Sequence, residues 1–427
     1  MKADPGKCGC EGRFRVADLP DLCLEGQEFR EKYGRNKAMA AMTLGCKANQ
    51  YDTDVIKDSF VNEGYDIADF DSGNADVFVI NTCAVTALSD RKSRQMIRRA
   101  RAKNPGAVII AAGCYPQSSP GEVSKMTEID ILTGTRGRRD IVRLVCRFAS
   151  EGRKKGPLNN IAAAASPALS SSGMRQGTVL CPGKVSVRQG TVLCPGKASA
   201  SASSPPSSSA SASSPPSLSA SSASLAASSP ELSSSALKEV HTGHTRAFMK
   251  IQDGCDRFCS YCIIPYLRGP LWSKPPAEAA EEARNIATAG YSEIVLTGIN
   301  IASYGRGQGG GGVPLTELIH MIHETEGIER IRLGSLEPSM IDHSFIDFVA
   351  CHRKICRHFH LSLQSGSDSV LRRMNRNYDT KGYREAAGLI VQSFEDAGIT
   401  TDIIAGFPGE TDEEFAQTTV FGKSAFE

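Results

Sequence analysis

Three cysteines stand close together in Gly254-Cys255-Asp256-Arg257-Phe258-Cys259-Ser260-Tyr261-Cys262, a CxxxCxxC spacing that wraps one loop around one centre. A structural zinc takes four protein ligands, and the nearest further donors, His241 and His244, sit upstream across an intervening strand pattern. Three thiolates with a fourth metal position open to a small molecule suit a four-iron cluster instead; zinc and chance spacing are the alternatives. Three more cysteines lie far apart: Cys46 in Leu44-Gly45-Cys46-Lys47, Cys83 in Asn81-Thr82-Cys83, and Cys114 in Ala112-Gly113-Cys114-Tyr115. Free cysteine is often simply buried, but each of these follows an apolar run, and three at matching places argue for a shared role.

Elements that could bring the second trio together are visible as apolar runs alternating with helix-like segments. Strands are predicted over 38–43, 76–80, 107–112 and near 129–132, with helices over 50–64 and 86–103, the pattern of a parallel α/β sheet. Strand C-termini line one edge of such a sheet, where ligands bind, so the three thiols are expected at one mouth. The alternation resumes with strands over 247–252, 292–297, 330–334, 358–363 and 401–405 and helices over 276–289, 314–326 and 382–397. This repetition predicts a (β/α) barrel or part of one, with its chemistry at the strand C-terminal ends.

Residues 198–237 are almost wholly Ala, Ser and Pro, and such a stretch cannot build a core. Just before it, Arg-Gln-Gly-Thr-Val-Leu-Cys-Pro-Gly-Lys at 175–184 recurs at 188–197, carrying Cys181 and Cys194 as copies within a duplicated tract. The expected organisation is a disordered extension over 1–37, a parallel α/β domain over 38–150, a linker or insertion over 151–240 and a second α/β domain over 241–427. Lys+Arg 49 against Asp+Glu 47 leaves a net charge of +2, which excludes nucleic-acid binding by bulk charge and leaves only a local basic site. Arg91, Lys92, Arg94, Arg98, Arg99, Arg101 and Lys103 crowd one predicted helix without an acid among residues 91–103. That face suits phosphate contacts or simple solvation.

No apolar run is long enough to span a bilayer, and the acid-rich first forty residues read as neither a secretory nor a transit signal. Fourteen cysteines without a signal peptide point to a reducing compartment, cytoplasmic in the first instance with an organelle left open. The run Gly305–Gly312 lacks the Gly-Lys-Ser/Thr ending of a phosphate-binding loop and is expected to be a flexible connection. Cys351, His352, Cys356, His358 and His360 are expected to pack or to alternate along a strand rather than to bind metal.

The CxxxCxxC motif with Tyr261 before its last cysteine resembles the signature of the radical S-adenosylmethionine (SAM) superfamily, and Asp402-Ile403-Ile404-Ala405-Gly406-Phe407-Pro408-Gly409-Glu410 is similar to its fifth-strand SAM-holding motif. The upstream segments Thr43–Asp52, Asn81–Thr86 and Gly113–Gln117 narrow the resemblance to the methylthiotransferases. Within that family, Ile251–Gly254, Ile263–Pro270, Leu296–Asn300, Arg332–Pro338 and Leu361–Asp368 look most like the branch acting on tRNA that carries N6-threonylcarbamoyladenosine next to the anticodon. The matched regions cover about 40–147 and 243–415. Sister branches act on isopentenyladenosine in tRNA or on a ribosomal-protein aspartate.

The resemblance implies two 4Fe–4S clusters. Cys255, Cys259 and Cys262 would hold the cluster that cleaves SAM to a 5′-deoxyadenosyl radical, and Cys46, Cys83 and Cys114 an auxiliary cluster that supplies or relays sulfur. Gln364, Glu337, Asp402 and Gly406 would contact SAM. The implied reaction replaces the C2 hydrogen of the modified adenosine with a methylthio group, using two SAM molecules, a reducing electron donor and a sulfur donor. The implied partner is a tRNA anticodon stem-loop, whose unpaired adenine can be splayed into a pocket. The family ordinarily has a short connector, a sixth barrel strand and a carboxy-terminal RNA-binding TRAM domain. Here five strands are legible, the helix pattern degrades after Glu414, and the chain stops at Glu427. A truncated barrel with an open edge and weakened tRNA affinity is expected, with a non-catalytic iron-sulfur or RNA-binding remnant as the competing class.

Overall fold

The computed structural model describes residues 20–151, 157–161 and 245–426. Its first half is built on six parallel strands: β1 (Lys37–Thr43), β2 (Tyr65–Ile67), β3 (Val77–Thr82), β4 (Val108–Gly113), β5 (Ile131–Thr133) and β6 (Leu158–Asn160). Their order is β2-β1-β3-β4-β5-β6. Every residue of β3 and β4 is buried, as expected for central strands of a parallel sheet covered on both faces. Alternation divides their side chains between two cores. Val77, Val79, Val108 and Ile110 face the helices Lys47–Asn62 and Ile141–Glu151, while Phe78, Ile80, Ile109 and Ala111 face the helix Ala87–Lys103. The chain direction across the sheet reverses between β1 and β3, the kind of crevice where open α/β sheets bind ligands.

Two boundaries differ from the sequence expectation. Leu22 and Phe29, the latter on a helix Gly26–Tyr33, are fully buried in the first of these cores, so residues 20–37 belong to the domain instead of forming a disordered extension. At the other end β6 lies inside the span assigned to the linker and pairs with β5 through Leu132↔Asn159. Its half-exposed pattern and short length left too little periodicity to read. Cys8, Cys10, Cys181, Cys194, His241 and His244 lie outside the described residues.

The second half carries β7 (Ala247–Lys250), β8 (Gln252–Asp253), β9 (Trp272–Ser273), β10 (Glu293–Thr297), β11 (Arg330–Leu333), β12 (Ser335–Leu336), β13 (His358–Leu361) and β14 (Gly398–Thr400). Parallel pairing runs β7-β10-β11 and, after a one-residue break at Gly334, β12-β13-β14, an arc of five parallel steps among the described residues, as the strand-helix repetition predicts. Helices Pro276–Thr288, Leu315–His323, His343–Cys351 and Thr380–Ser393 close one continuous core with these strands. The fifth strand falls at 398–400; of the predicted 401–405 only Ile403 continues it, by a bridge to Gln364. The antiparallel pair β8 and β9 tucks the cysteine loop's entrance against the glycine-rich run. That run is held in place: the Ser273 N–H donates to the Gln308 carbonyl at 2.8 Å and the Gln308 N–H to the Leu271 carbonyl at 3.2 Å.

The region after Glu414 also departs from expectation. A helix spans Asp412–Phe426, Thr418 accepts the Gly366 N–H at 3.0 Å, and Phe421 is buried in the barrel core beside Tyr383. Weak apolar periodicity concealed it, because the helix docks through Thr418 and Phe421 while most of its residues stay exposed.

Candidate active site

Cys46, Cys83 and Cys114 follow β1, β3 and β4 at one sheet edge. Cys46 caps the helix Lys47–Asn62, and Cys114 opens the short helix Cys114–Ser118, so two of the thiols sit at helix N-termini, a setting that favours negative charge. The three are near enough to act on each other. Burial pushes the Cys114 thiol up to about 11, with Cys83 and Cys46 adding to the rise and Arg268 and Arg138 opposing it. Gly113 makes this mouth possible: it has φ 93°, and a Cβ there would strike Asn81 Oδ1 and come within 2.8 Å of the Thr82 carbonyl. Asn49 Nδ2 donates to the carbonyls of Leu44 at 2.9 Å and Thr82 at 3.0 Å, tying the loops that carry Cys46 and Cys83.

Cys255, Cys259 and Cys262 occupy the loop after β8, and parts of the chain remote in sequence hold that loop. Arg257, between the first two cysteines, gives Nη2 to Glu337 Oε2 at 2.7 Å, and Asn300 Nδ2 reaches the other oxygen at 3.2 Å. Ser260 donates its N–H to the Met374 carbonyl, and Asn375 Nδ2 bonds the Phe258 carbonyl at 3.1 Å. Arg376 Nη1 lies 3.1 Å from Cys259 Sγ. Burial raises the Cys255 thiol to about 11 and also raises Cys262, with the neighbouring thiols contributing to both.

Of the four residues expected to contact SAM, Glu337, Gln364 and Asp402 closely follow β12, β13 and β14, and Gly406 lies further along the loop after β14. Glu337 is buried and committed to Arg257 and Asn300, so its carboxylate braces the cysteine loop. Gln364 has φ 71° and pairs through its backbone with Asp402 and Ile404. Asp402 points outward, 3.4 Å from His360 Nε2. Gly406, at φ 73°, donates its N–H to Glu410 Oε2 at 2.6 Å, with open space where a Cβ would stand.

A buried charge network joins the two trios. Arg268 gives Nη1 to both Asp253 oxygens at 2.9 Å, and Nη2 to Asn49 Oδ1 at 2.6 Å and Asp52 Oδ2 at 3.3 Å. Lys250 Nζ reaches Asp52 at 2.5 Å and Asp253 at 2.8 Å, and Arg138 Nη1 reaches Asp52 at 2.5 Å. Burial alone would push Asp52 and Asp253 up; the cations Arg138, Lys250 and Arg268 hold both carboxyls below the usual range. A second buried contact, Tyr51 with Glu282 and Lys274, extends the interface. The single sequence carried no signal for Arg138, Arg376 or Asn375, and Arg268 stood in the segment Ile263–Pro270 with no role legible for it, because each acts through a contact made across the fold.

Other expectations resolve differently. Among the basic helix residues, Arg99 and Lys103 pair with Asp71, Arg101 with Asp130 and Arg98 with Glu128, and Arg94 bonds the Tyr115 hydroxyl. Most of that helix's charge is therefore matched within its own domain, and Arg91 and Lys92 remain outward. Among the described residues no three His, Cys, Asp or Glu groups close around a single metal ion, Cys351, His352, Cys356, His358 and His360 included. Two mutually interacting sets of three thiols, each beside an arginine, fit thiolate-held clusters whose irons are spread over several positions.

Family models divide the chain much as the fold does. The uncharacterized protein family UPF0004 matches residues 38–134 and the radical SAM superfamily residues 249–421, so the second half is a radical SAM domain. The threonylcarbamoyladenosine tRNA methylthiotransferase MtaB of Bacillus subtilis is 35% identical over 387 residues, covering 90% of this chain and 70% of that protein. A tRNA-2-methylthio-N(6)-dimethylallyladenosine synthase of Pelotomaculum thermopropionicum is 28% identical over 389 residues, covering 90% and 71%. The radical SAM methyltransferase TsrM of Kitasatospora setae, solved with cobalamin and a 4Fe-4S cluster, shares the fold at TM-score 0.56 and 13% identity, covering 92% and 74%. This chain belongs to the radical SAM methylthiotransferase family and is an enzyme of that kind. Among the described residues no helix is long and apolar enough to cross a membrane.

Proposed function

We propose that the chain is a tRNA methylthiotransferase that replaces the C2 hydrogen of N6-threonylcarbamoyladenosine, next to the anticodon, with a methylthio group. The observation that carries this reading is the 35% identity to the Bacillus subtilis methylthiotransferase over 90% of the chain, with both cysteine trios in place. Cys255, Cys259 and Cys262 would hold a 4Fe–4S cluster and Cys46, Cys83 and Cys114 a second; when bound with SAM they supply one-electron chemistry at a C–H bond and the sulfur to replace it. The chain's own residues position and exclude. Arg257, Glu337 and Asn375 fix the cysteine loop, Arg376 faces Cys259, and Gly406 exposes backbone where the cofactor's approach must be close. Gln364 and Asp402 present groups at the same edge. Reducing equivalents and sulfur come from separate donors.

The test is nucleoside mass spectrometry of tRNA from cells lacking the endogenous methylthio modification, complemented with this chain. The expected result is the methylthio derivative of threonylcarbamoyladenosine, absent with Cys255→Ala. The methylthio derivative of isopentenyladenosine alone would overturn the substrate assignment, and SAM cleavage without either product would favour a remnant activity.

A further inference from the structure

Arg138 Nε and Nη2 and Arg268 Nε are buried without a hydrogen-bond partner. Such groups are rare in folded proteins, because each forfeits its bonds to water. Both guanidinium groups belong to side chains at least nine-tenths buried, and the cluster around them is unbalanced: among the described residues, Arg138, Arg268 and Lys250 pair only with Asp52 and Asp253. One positive charge and three donor nitrogens are left over. They are left over beside the upstream thiols. Arg268 bonds Asn49, whose amide holds the carbonyls of Leu44 and Thr82 next to Cys46 and Cys83, and Arg138 shares with Arg268 the carboxylate of Asp52, on the helix that Cys46 caps. A buried cation with free donors wants an anion with acceptor capacity, and an iron-sulfur cluster on three thiolates is one.

We propose that Arg138 and Arg268 are positioning residues for the group that Cys46, Cys83 and Cys114 hold, their three unpartnered nitrogens donating N–H bonds to its anionic sulfur and their charge raising its reduction potential. The inference rests on the proposed second cluster. Reduction adds one electron, and so one negative charge, to the bound group; a nearby buried cation favours the reduced form. Arg268 is also held by both Asp253 oxygens, two residues before Cys255, so the same side chain fixes how the downstream loop stands relative to the upstream trio.

The experiment uses the full chain with Cys255, Cys259 and Cys262 replaced by Ala, loaded with iron and sulfide without oxygen, so that one cluster remains. Its reduction is followed by electron paramagnetic resonance while a chemical reductant delivers one electron per cluster. Arg138→Gln is expected to keep about four irons and lower the reduction equilibrium constant at least tenfold, about 59 mV for one electron. Arg138→Lys, which keeps the charge but not the donor geometry, is expected to lower it less, and Arg268→Lys likewise. An unchanged potential in all three with iron retained would overturn the proposal. Loss of iron from both Arg138 variants would also overturn it, leaving a structural role. Absence of any cluster in the parent triple variant would instead remove the proposed second cluster itself.

Discussion

The two cysteine trios are assembled by opposite strategies. The downstream thiols are neighbours in sequence, and their loop is braced from outside by Glu337, Asn375 and Arg376. The upstream thiols are neighbours only because a parallel sheet aligns three strand ends, and their loops are braced from within by Asn49 and the sheet. A local motif costs little chain to close but needs remote clamps to hold its shape. A dispersed motif inherits rigidity from the sheet and is lost if strand register is lost.

The largest expected effect separates the trios by chemistry. Replacing Cys46, Cys83 and Cys114 by Ala should cut bound iron from about eight to about four and abolish the methylthio product while SAM cleavage under reductant persists. Cys255→Ala should abolish both. Four irons in the parent chain, unchanged by the triple substitution, would reduce the comparison to one site and a set of structural thiols.

Next in size is the link between the halves. Asp52→Ala leaves Arg138, Lys250 and Arg268 facing one fewer carboxylate, and a buried charge left uncompensated costs about 3–5 kcal/mol, to be read from denaturant unfolding. The same carboxyls give a pH signature. Asp52 and Asp253 are held below their usual range when folded, so their contribution is complete above the unfolded aspartate value near about 3.9 and is lost as pH falls below it through the folded values. Fluorescence of Trp272, which stands opposite Asp253, reports the opening in the metal-free chain.

Arg376→Gln should weaken iron retention at the downstream loop by about 10–100-fold, the usual effect of removing an outer-shell partner, while leaving the upstream trio loaded; chelator competition measures this. Glycines then contrast the two mouths. Gly113→Ala meets both a left-handed φ and backbone at the Thr82 carbonyl, and should destabilise by more than the roughly 1–2 kcal/mol of left-handed strain expected for Gly406→Ala, where the space is open. The smallest effect is kinetic. In the metal-free chain, alkylation of Cys114 should rise about tenfold per pH unit until the thiol titrates near about 11, and a plateau near neutral pH would mean that the mouth is wetter than the fold implies.

Legibility followed the same division. The downstream trio could be read from spacing alone, and the upstream trio from apolar runs ending in cysteine, because a buried parallel strand announces itself by composition. The strand at 398–400 was displaced because Gly398 and Thr400 are exposed and the more apolar stretch follows them. Leu22, Phe29 and β6 went unread because single buried residues and three-residue strands leave no periodicity. The ion pairs of the basic helix were also unread: its partners Asp71, Glu128 and Asp130 are far away in sequence, so local charge counting could not see them. Arg376 was invisible for that same reason, and Arg268, inside Ile263–Pro270, showed nothing of its partners.

Asp52 draws its three cations from positions 138, 250 and 268, two of them beyond the low-complexity tract. Registration of the halves is thus written in their touching surfaces. Separately expressed halves, 20–161 and 245–427, are expected to complement each other in a mixture, with Asp52→Ala abolishing the complementation.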